Sequence, residues 1–320
     1  MCRSLKSCIM LLAIIILGLA SVSPAAAQDS WATDEPMPVA RFDLAVVAAP
    51  DNRIYAIGGN YPGISSIYLP LNHVEVYDPA TGVWKAVAPM PTSRGGPAAA
   101  VGHDGLIYVF GGHDRAINPL DTVEAYDPAA DTWVTKAAMP TPRAFLAAVT
   151  GGDGLIYVIG GAPSSGVGLG AVEAYDPATD TWTTKASLPT PRYVLAGALG
   201  ADGLIYAIGG ANGSSLALDT VEAYDPQGDT WTVKPPMSTG RYNPAAAAGQ
   251  DGKIYVFGGA TSTALNTVEV YDLASWSAAT PMPTARYDLG AATGADGRIY
   301  AIGGWDDSKA VNTVEVYTPR

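Results

Sequence analysis

The chain has 320 residues and a formal charge of −12, with 48% hydrophobic and only 15% charged residues. That balance excludes a disordered chain, which is charge-rich and apolar-poor. The acidity excludes a nucleic-acid surface, which needs a basic face. Glycine (36) and proline (25) supply about a fifth of the residues, and that much turn chemistry points to many short strands rather than long helices.

The N-terminus reads as a targeting segment. Arg3 and Lys6 form a basic region, Ile9 to Ala20 is an apolar run of twelve residues, and Ala25-Ala26-Ala27 precedes Gln28. Residues 1–27 are therefore expected to be a secretory signal peptide cleaved after Ala27, with a retained anchor as the alternative. The run is short for a bilayer span and no second one follows, so the mature chain is expected to be secreted or periplasmic without a membrane span. Both cysteines, Cys2 and Cys8, leave with the signal. The mature chain then carries 16 basic and 30 acidic residues, a charge of −14, and no thiol. Without disulfides it must hold itself by packing alone.

After the signal, one pattern repeats. Glycine pairs fall at Gly58-Gly59, Gly111-Gly112, Gly160-Gly161, Gly209-Gly210, Gly258-Gly259 and Gly303-Gly304, in steps of 53, 49, 49, 49 and 45 residues. Each pair ends an apolar run such as Leu106-Ile107-Tyr108-Val109-Phe110. A Val-Glu-x-Tyr segment follows, carrying Tyr77, Tyr126, Tyr175, Tyr224, Tyr271 or Tyr317. A tryptophan comes next in five cycles (Trp84, Trp133, Trp182, Trp231 and Trp276), and then an arginine restarts the pattern. Each cycle reads as four strands. Strand A is small and apolar, as in Ala98-Ala99-Ala100-Val101. An Asp-Gly turn, or Asp51-Asn52 in the first cycle, is expected to supply the positive φ angles of a tight hairpin. Strand B is continuously apolar, so both of its faces are covered. Strand C carries the Tyr and strand D the Trp. Four-stranded antiparallel sheets repeated radially make a β-propeller.

The apolar run, Gly-Gly, Tyr and Trp at a period near 50 resemble the kelch repeat, over almost all of the mature chain. The expected fold is all-β: one six-bladed propeller over residues 28–320, with repeats starting near 41, 94, 143, 192, 241 and 286. The sixth cycle stops at Tyr317 without a strand D, while Trp31 to Pro38 is a strand D with nothing before it. Residues 31–38 are therefore expected to complete the last blade and close the ring, removing the open sheet edges.

Two sets of charged residues recur once per cycle: Arg41, Arg94, Arg143, Arg192, Arg241 and Arg286, and Glu75, Glu124, Glu173, Glu222, Glu269 and Glu315. A residue that every blade carries answers a need of every blade. These are expected to be paired braces rather than an anion-binding ring. The three histidines lack metal-ligand spacing and no Asp-rich loop has the recurring calcium-ligand spacing, so no metal and no cofactor are expected. No nucleophile elbow is present, and no catalytic residue is assigned.

Function is expected where the blades differ. Two segments per blade should emerge on one face: the B–C loop after Gly-Gly and the residues after the motif arginine. The resemblance implies this by position, because kelch adaptors contact peptides there. The candidates are Phe42, Asp43, Asn60, Tyr61, His113, Arg115, Tyr193, Tyr242, Asn243, Tyr287, Asp288, Trp305 and Asp306, with Ser164 and Ser165 in the third loop. They gather near the junction of the sixth and first blades. Aromatics beside amides and carboxylates suit a sugar ring or an extended peptide. The expected function is a monomeric, non-catalytic binding module for a carbohydrate, peptide or protein ligand. Two alternatives stay open: a sugar-active enzyme like the exported kelch family that interconverts sialic acid anomers, and a structural part of a cell-envelope assembly.

Overall fold

The computed structural model describes residues 29–63, 68–163 and 167–320. The expected signal peptide, Ser164 and Ser165 lie outside the described residues. Six four-stranded antiparallel sheets form a ring, with their innermost strands neighbouring one another around the axis. The first blade runs outward as Ala45–Ala48, Ile54–Ile57, Val74–Asp78 and Val83–Ala86. The other complete blades repeat that order along the chain. Strand B residues are buried on both faces in all six blades, as their unbroken apolarity requires.

The last blade consists of Gly290–Thr293, Ile299–Ile302 and Val314–Thr318, completed by Ser30–Asp34 from the N-terminus. The closing pair is antiparallel, with Trp31 opposite Tyr317. Closure begins before the predicted segment. Asp29 accepts hydrogen bonds from the Thr280 backbone N–H at 2.8 Å and from the Tyr317 hydroxyl at 2.5 Å.

Packing is between blades. The cluster of Tyr108, Phe110, Ile156, Val158 and Tyr175, for instance, draws on two adjacent sheets. The sheets diverge outward, so Ala and Gly sit at the axis and Tyr and Trp fill the rim. Each strand D tryptophan also reaches back to the preceding blade: Trp133 Nε1 donates to the Ala88 carbonyl at 2.8 Å, and Trp182 Nε1 to the Ala137 carbonyl at 3.0 Å.

The A–B turns work differently from the expected primed hairpins. The glycine alone takes positive φ (Gly105 at 82°, with Asn52 at 64° in its place in the first blade), while the preceding aspartate keeps negative φ. The aspartate caps the turn instead. Asp104 accepts the Leu106 N–H at 3.1 Å and the Tyr108 hydroxyl at 2.6 Å. The matching strand B tyrosine and turn aspartate are bonded in all six blades. A side chain that satisfies its own loop relieves the backbone of the strained two-residue turn.

The arginines are braces. All six are 0% exposed and each is paired with the strand C glutamate of its own blade. Arg94 reaches Glu124 at 2.6 Å and Arg192 reaches Glu222 at 2.7 Å, while Arg143 pairs with Glu173 and Arg241 with Glu269. The guanidinium also donates to strand carbonyls, as Arg94 does to Gly111 at 3.1 Å and Thr122 at 3.0 Å. Burial lowers the arginine pKa, to about 10 for Arg192 and Arg286, and the facing glutamate opposes that shift. Sealed from solvent and committed to these partners, the arginines present no anion-binding ring.

Candidate functional site

The two variable segments of each blade meet. The residue after the motif arginine forms an antiparallel bridge with the residue after Gly-Gly: Phe42 with Asn60, Gly95 with His113, Ala144 with Ala162, Tyr193 with Ala211, Tyr242 with Ala260 and Tyr287 with Trp305. Both backbone hydrogen bonds form in each pair, as between Tyr287 and Trp305 at 3.0 and 2.8 Å. This bridge places the sequence-predicted positions side by side on one face of the disc.

The next residue in each blade turns inward and builds a closed backbone ring about the axis. The N–H of Gly96 donates to the Asp43 carbonyl, Phe145 to Gly96, Val194 to Phe145, Asn243 to Val194, Asp288 to Asn243 and Asp43 to Asp288, at 2.9–3.2 Å. All six hold φ between 49° and 60°. The ring closes only because the sixth blade lies beside the first.

That closure brings Asp43 and Asp288 together. Their carboxyls are neighbours at the axial cavity, with the Asn243 side chain beside Asp288. Asn60 Nδ2 donates to Asp43 Oδ2 at 3.1 Å and contacts His113 Nε2 at 3.3 Å. His113 Nδ1 lies 2.9 Å from the Asp114 carbonyl. That oxygen can only accept, so Nδ1 carries the proton and Nε2 takes the amide hydrogen. Gly95 makes room for this contact, since a Cβ there would stand 2.3 Å from Asn60 Oδ1 and 2.6 Å from His113 Nε2. Burial raises the pKa of both aspartates, Asp288 well above the ordinary carboxylate range, and the neighbouring Asp43 charge raises Asp288 further. Two carboxyls in contact cannot both ionise cheaply, so the pair holds one proton well into the range where free aspartate has lost it. Asp288 Oδ1 and Asn60 Oδ1 are sealed from solvent and receive no donor from the protein's amides and hydroxyls. The pair lines a cavity of about 90 Å³ at the axis, completed by Gly96, Phe145, Val194, Asn243 and the leucines beneath them.

Aromatic rings flank this mouth. Phe42 meets Trp305 and Tyr68 edge-on, each at 5.1 Å, and Tyr242 meets Tyr287 at 5.9 Å. Burial and the Asp288 charge push the Tyr287 hydroxyl up to about 12. Tyr61, 44% exposed, borders a separate cavity of about 550 Å³ with Pro38, Lys309 and Val311 at the seam of the sixth and first blades.

Other expected positions sit differently. Asn60 and His113, read as loop residues, are 1% and 4% exposed and belong to the buried polar network. Phe42 is buried as a support for the rim. Asp306 turns its carboxylate onto its own loop, accepting the Ser308 and Lys309 N–H groups at 3.0 and 2.9 Å. Arg115 stands exposed beside Asp114, which caps its own loop through Ala116 and Asn118. Tyr193 is half-buried in the fourth blade, outside the stacked pairs. Sequence reasoning missed Tyr68. Its signal was the first step of 53 residues, whose extra length forms the Asn60–Pro62 and Tyr68–Pro70 hairpin. Among the described residues no three His, Cys, Asp or Glu side chains cluster to hold a metal ion.

Comparison with known proteins agrees with this geometry. The family model described as the KLHDC2/KLHL20/DRC7 Kelch-repeats domain matches residues 45–240, and the Kelch motif matches residues 241–283 and 289–320. The chain belongs to the kelch-repeat family. Among curated proteins it is similar to Kelch-like protein terF of Aspergillus terreus, 38% identical over 84 residues, or 26% of this chain and 18% of the relative. It is also similar to human Kelch-like protein 33, 33% identical over 85 residues, or 27% of this chain and 15% of the relative. The likeness thus spans under a fifth of either relative's length. The solved structure titled "Structure of YjhT" superposes with a TM-score of 0.74 at 18% identity, covering 88% of this chain and 95% of that one. At that identity it speaks for the fold alone. Among the described residues no helix is long and apolar enough to cross a membrane.

Proposed function

We propose that this kelch propeller is an exported binding module that takes a peptide, protein or carbohydrate ligand on the face carrying the B–C loops. Export rests on the basic, apolar and small-residue order of residues 1–27. The observation that carries the binding reading is the grouping, on one face, of the Phe42–Trp305–Tyr68 and Tyr242–Tyr287 aromatics around the Asp43–Asp288 carboxyls. Aromatic faces take apolar C–H surface, and the polar groups orient the ligand. Kelch propellers generally bind proteins, and the family match favours that class of ligand.

The test is a peptide and glycan array with the mature chain, repeated with Tyr287→Ala and Trp305→Ala. Loss of the hit on either change, with the fold intact, is the expected result. A hit that survives both changes removes this face as the site.

A second reading, a sugar-active enzyme, is favoured by one observation: a carboxyl pair of raised pKa at a cavity, as acid–base chemistry requires. Turnover of a free sugar by the purified chain decides for the enzyme.

A further inference from the structure

We propose that the axial mouth between Asp43 and Asp288 is a receptor for a primary ammonium group, the head of a lysine side chain on a bound peptide. This rests on the reading of the loop face as the ligand face and names the chemistry it selects.

Size sets the first limit. The cavity of about 90 Å³ admits a head group and a few methylenes, while the rest of the ligand stays outside on the aromatic rim. Polarity sets the second. On the cavity wall, Asp288 Oδ1 is sealed from bulk solvent, receives no amide or hydroxyl donor, and can only accept while the group is ionised. The Asn60 amide is 1% exposed and lies against the pair through Nδ2 and Asp43 Oδ2. A mouth short of donors is matched by a group that brings three of them and a positive charge. An anion finds no free cation here: Arg41 and Arg286 are tied to Glu75 and Glu315, and His113 spends both ring nitrogens on Asp114 and Asn60. A divalent metal needs more ligating groups than this pair supplies. Tyr242, Tyr287 and Trp305 at the rim suit the aliphatic stem and the passage of a cation across aromatic faces.

The carboxyl pair adds a signature. Burial, reinforced by the repulsion between its two charges, favours a retained proton. An ammonium between them lifts that repulsion, so binding expels the proton to solvent. The groups facing the pair are His113 and Asn60 from the first two blades, Asn243 and Tyr242 from the fifth, and Tyr287 with the more distant Asp307 from the sixth. Burial pushes both tyrosine hydroxyls upward, away from the tested range, which leaves the carboxyl pair.

The test is an NMR titration of the full mature chain with acetyl-Gly-Lys-Gly-amide, its norleucine counterpart and glucosamine, at pH 6 and pH 8. The lysine peptide is expected to bind saturably and more tightly at pH 8, and the norleucine peptide not to bind. Asp288→Asn is expected to weaken the lysine peptide by at least about 30-fold, the usual loss when one side of a buried charge contact is removed. This variant keeps the fold testable, since asparagine already holds the same ring position at Asn243 with φ 50°. A His113→Gln variant that keeps the pH difference assigns it to the carboxyl pair. Equal binding of the lysine and norleucine peptides, tighter binding of glucosamine, no saturation at tens of millimolar, or unchanged affinity in Asp288→Asn each overturns the proposal. An array ligand that needs Tyr287 or Trp305 but is indifferent to Asp288→Asn overturns the ammonium receptor while leaving the loop face as the binding face.

Discussion

Trp31 Nε1 donates a hydrogen bond to the Thr280 carbonyl at 2.9 Å, joining residues 249 positions apart. It is the sixth member of a set. Trp84 makes the same bond to the Glu35 carbonyl at 2.9 Å, Trp231 to Ala186 at 2.9 Å and Trp276 to Pro235 at 2.8 Å, with Trp133 and Trp182 alike. Every blade is clasped to the one before it, and the N-terminal strand supplies the clasp where the chain runs out. Deleting residues 28–38 removes this bond, the Asp29 contacts and a whole strand ladder. The expected loss is at least about 3–5 kcal/mol, the scale of truncating one large buried aromatic. Thermal melting and size-exclusion chromatography check it. An unchanged midpoint with unchanged elution would contradict closure by this strand.

The buried ion pairs predict a different phenotype. Arg192→Ala leaves Glu222 at 1% exposure with only Thr190 still donating to it. Stranding a buried charge costs about 3–5 kcal/mol. Urea denaturation is expected to show that loss, while any ligand the array identifies still binds the folded fraction. A variant of wild-type stability that has lost binding would restore the anion-ring reading.

The repeat explains why so much was legible. Strand B apolarity, the Gly-Gly pairs and the orphan strand at Trp31 each recur or fail to recur at a fixed step, and a ring of six blades is the arrangement that satisfies all of them. The meeting of the Tyr287 and Trp305 positions on one face was legible for the same reason. The parts that were not legible depend on contacts between cycles. Nothing in the spacing says that Asp43 touches Asp288, because only ring closure makes the first and last post-arginine positions neighbours. Asn60 and His113 read as exposed loop residues because they follow Gly-Gly. Their contact needs the missing side chain at Gly95, where a Cβ would collide with both. Asp104 read as a backbone choice, whereas it works through its carboxylate on Tyr108.

The carboxyl pair predicts how stability responds to pH. Folding raises the pKa of Asp43 and Asp288 above the ordinary value of 3.8. The native state therefore binds more protons than the unfolded state above that pH, and stability falls as pH rises through the window up to the raised values. The slope reaches at most about 1.4 kcal/mol per pH unit for one retained proton. Asp29, Asp131, Asp180 and Asp229 are shifted downward by their hydrogen bonds. Their contribution is present above 3.8 and is lost on the acid side, so it does not mask the effect between pH 5 and pH 8. Asp288→Asn removes the second charge. Its melting temperature is expected to fall less between pH 5 and pH 8 than that of the parent. Parallel curves for the two proteins would show that the pair shares no proton.

The axial ring is most strained at its one β-branched residue. Val194 holds φ at 51°, where a β-branched side chain meets the backbone most severely. The closed hydrogen-bond ring enforces this, because Val194 must donate to Phe145 and accept from Asn243. The side chain is half-buried at the cavity wall rather than in the core, so little packing offsets the backbone cost. Asparagine tolerates this region and occupies the equivalent position at Asn243, φ 50°. Val194→Asn is therefore expected to raise stability by about 1 kcal/mol, the lower end of the left-handed penalty, without changing the ring. Chemical denaturation measures the gain, and the slope of the transition reports whether the compact state is unchanged. A loss of stability at constant slope would mean that the valine side chain contributes more by packing at the mouth than its backbone costs, and that the wall opposite the Asp43–Asp288 pair is a packed surface instead of a strained one.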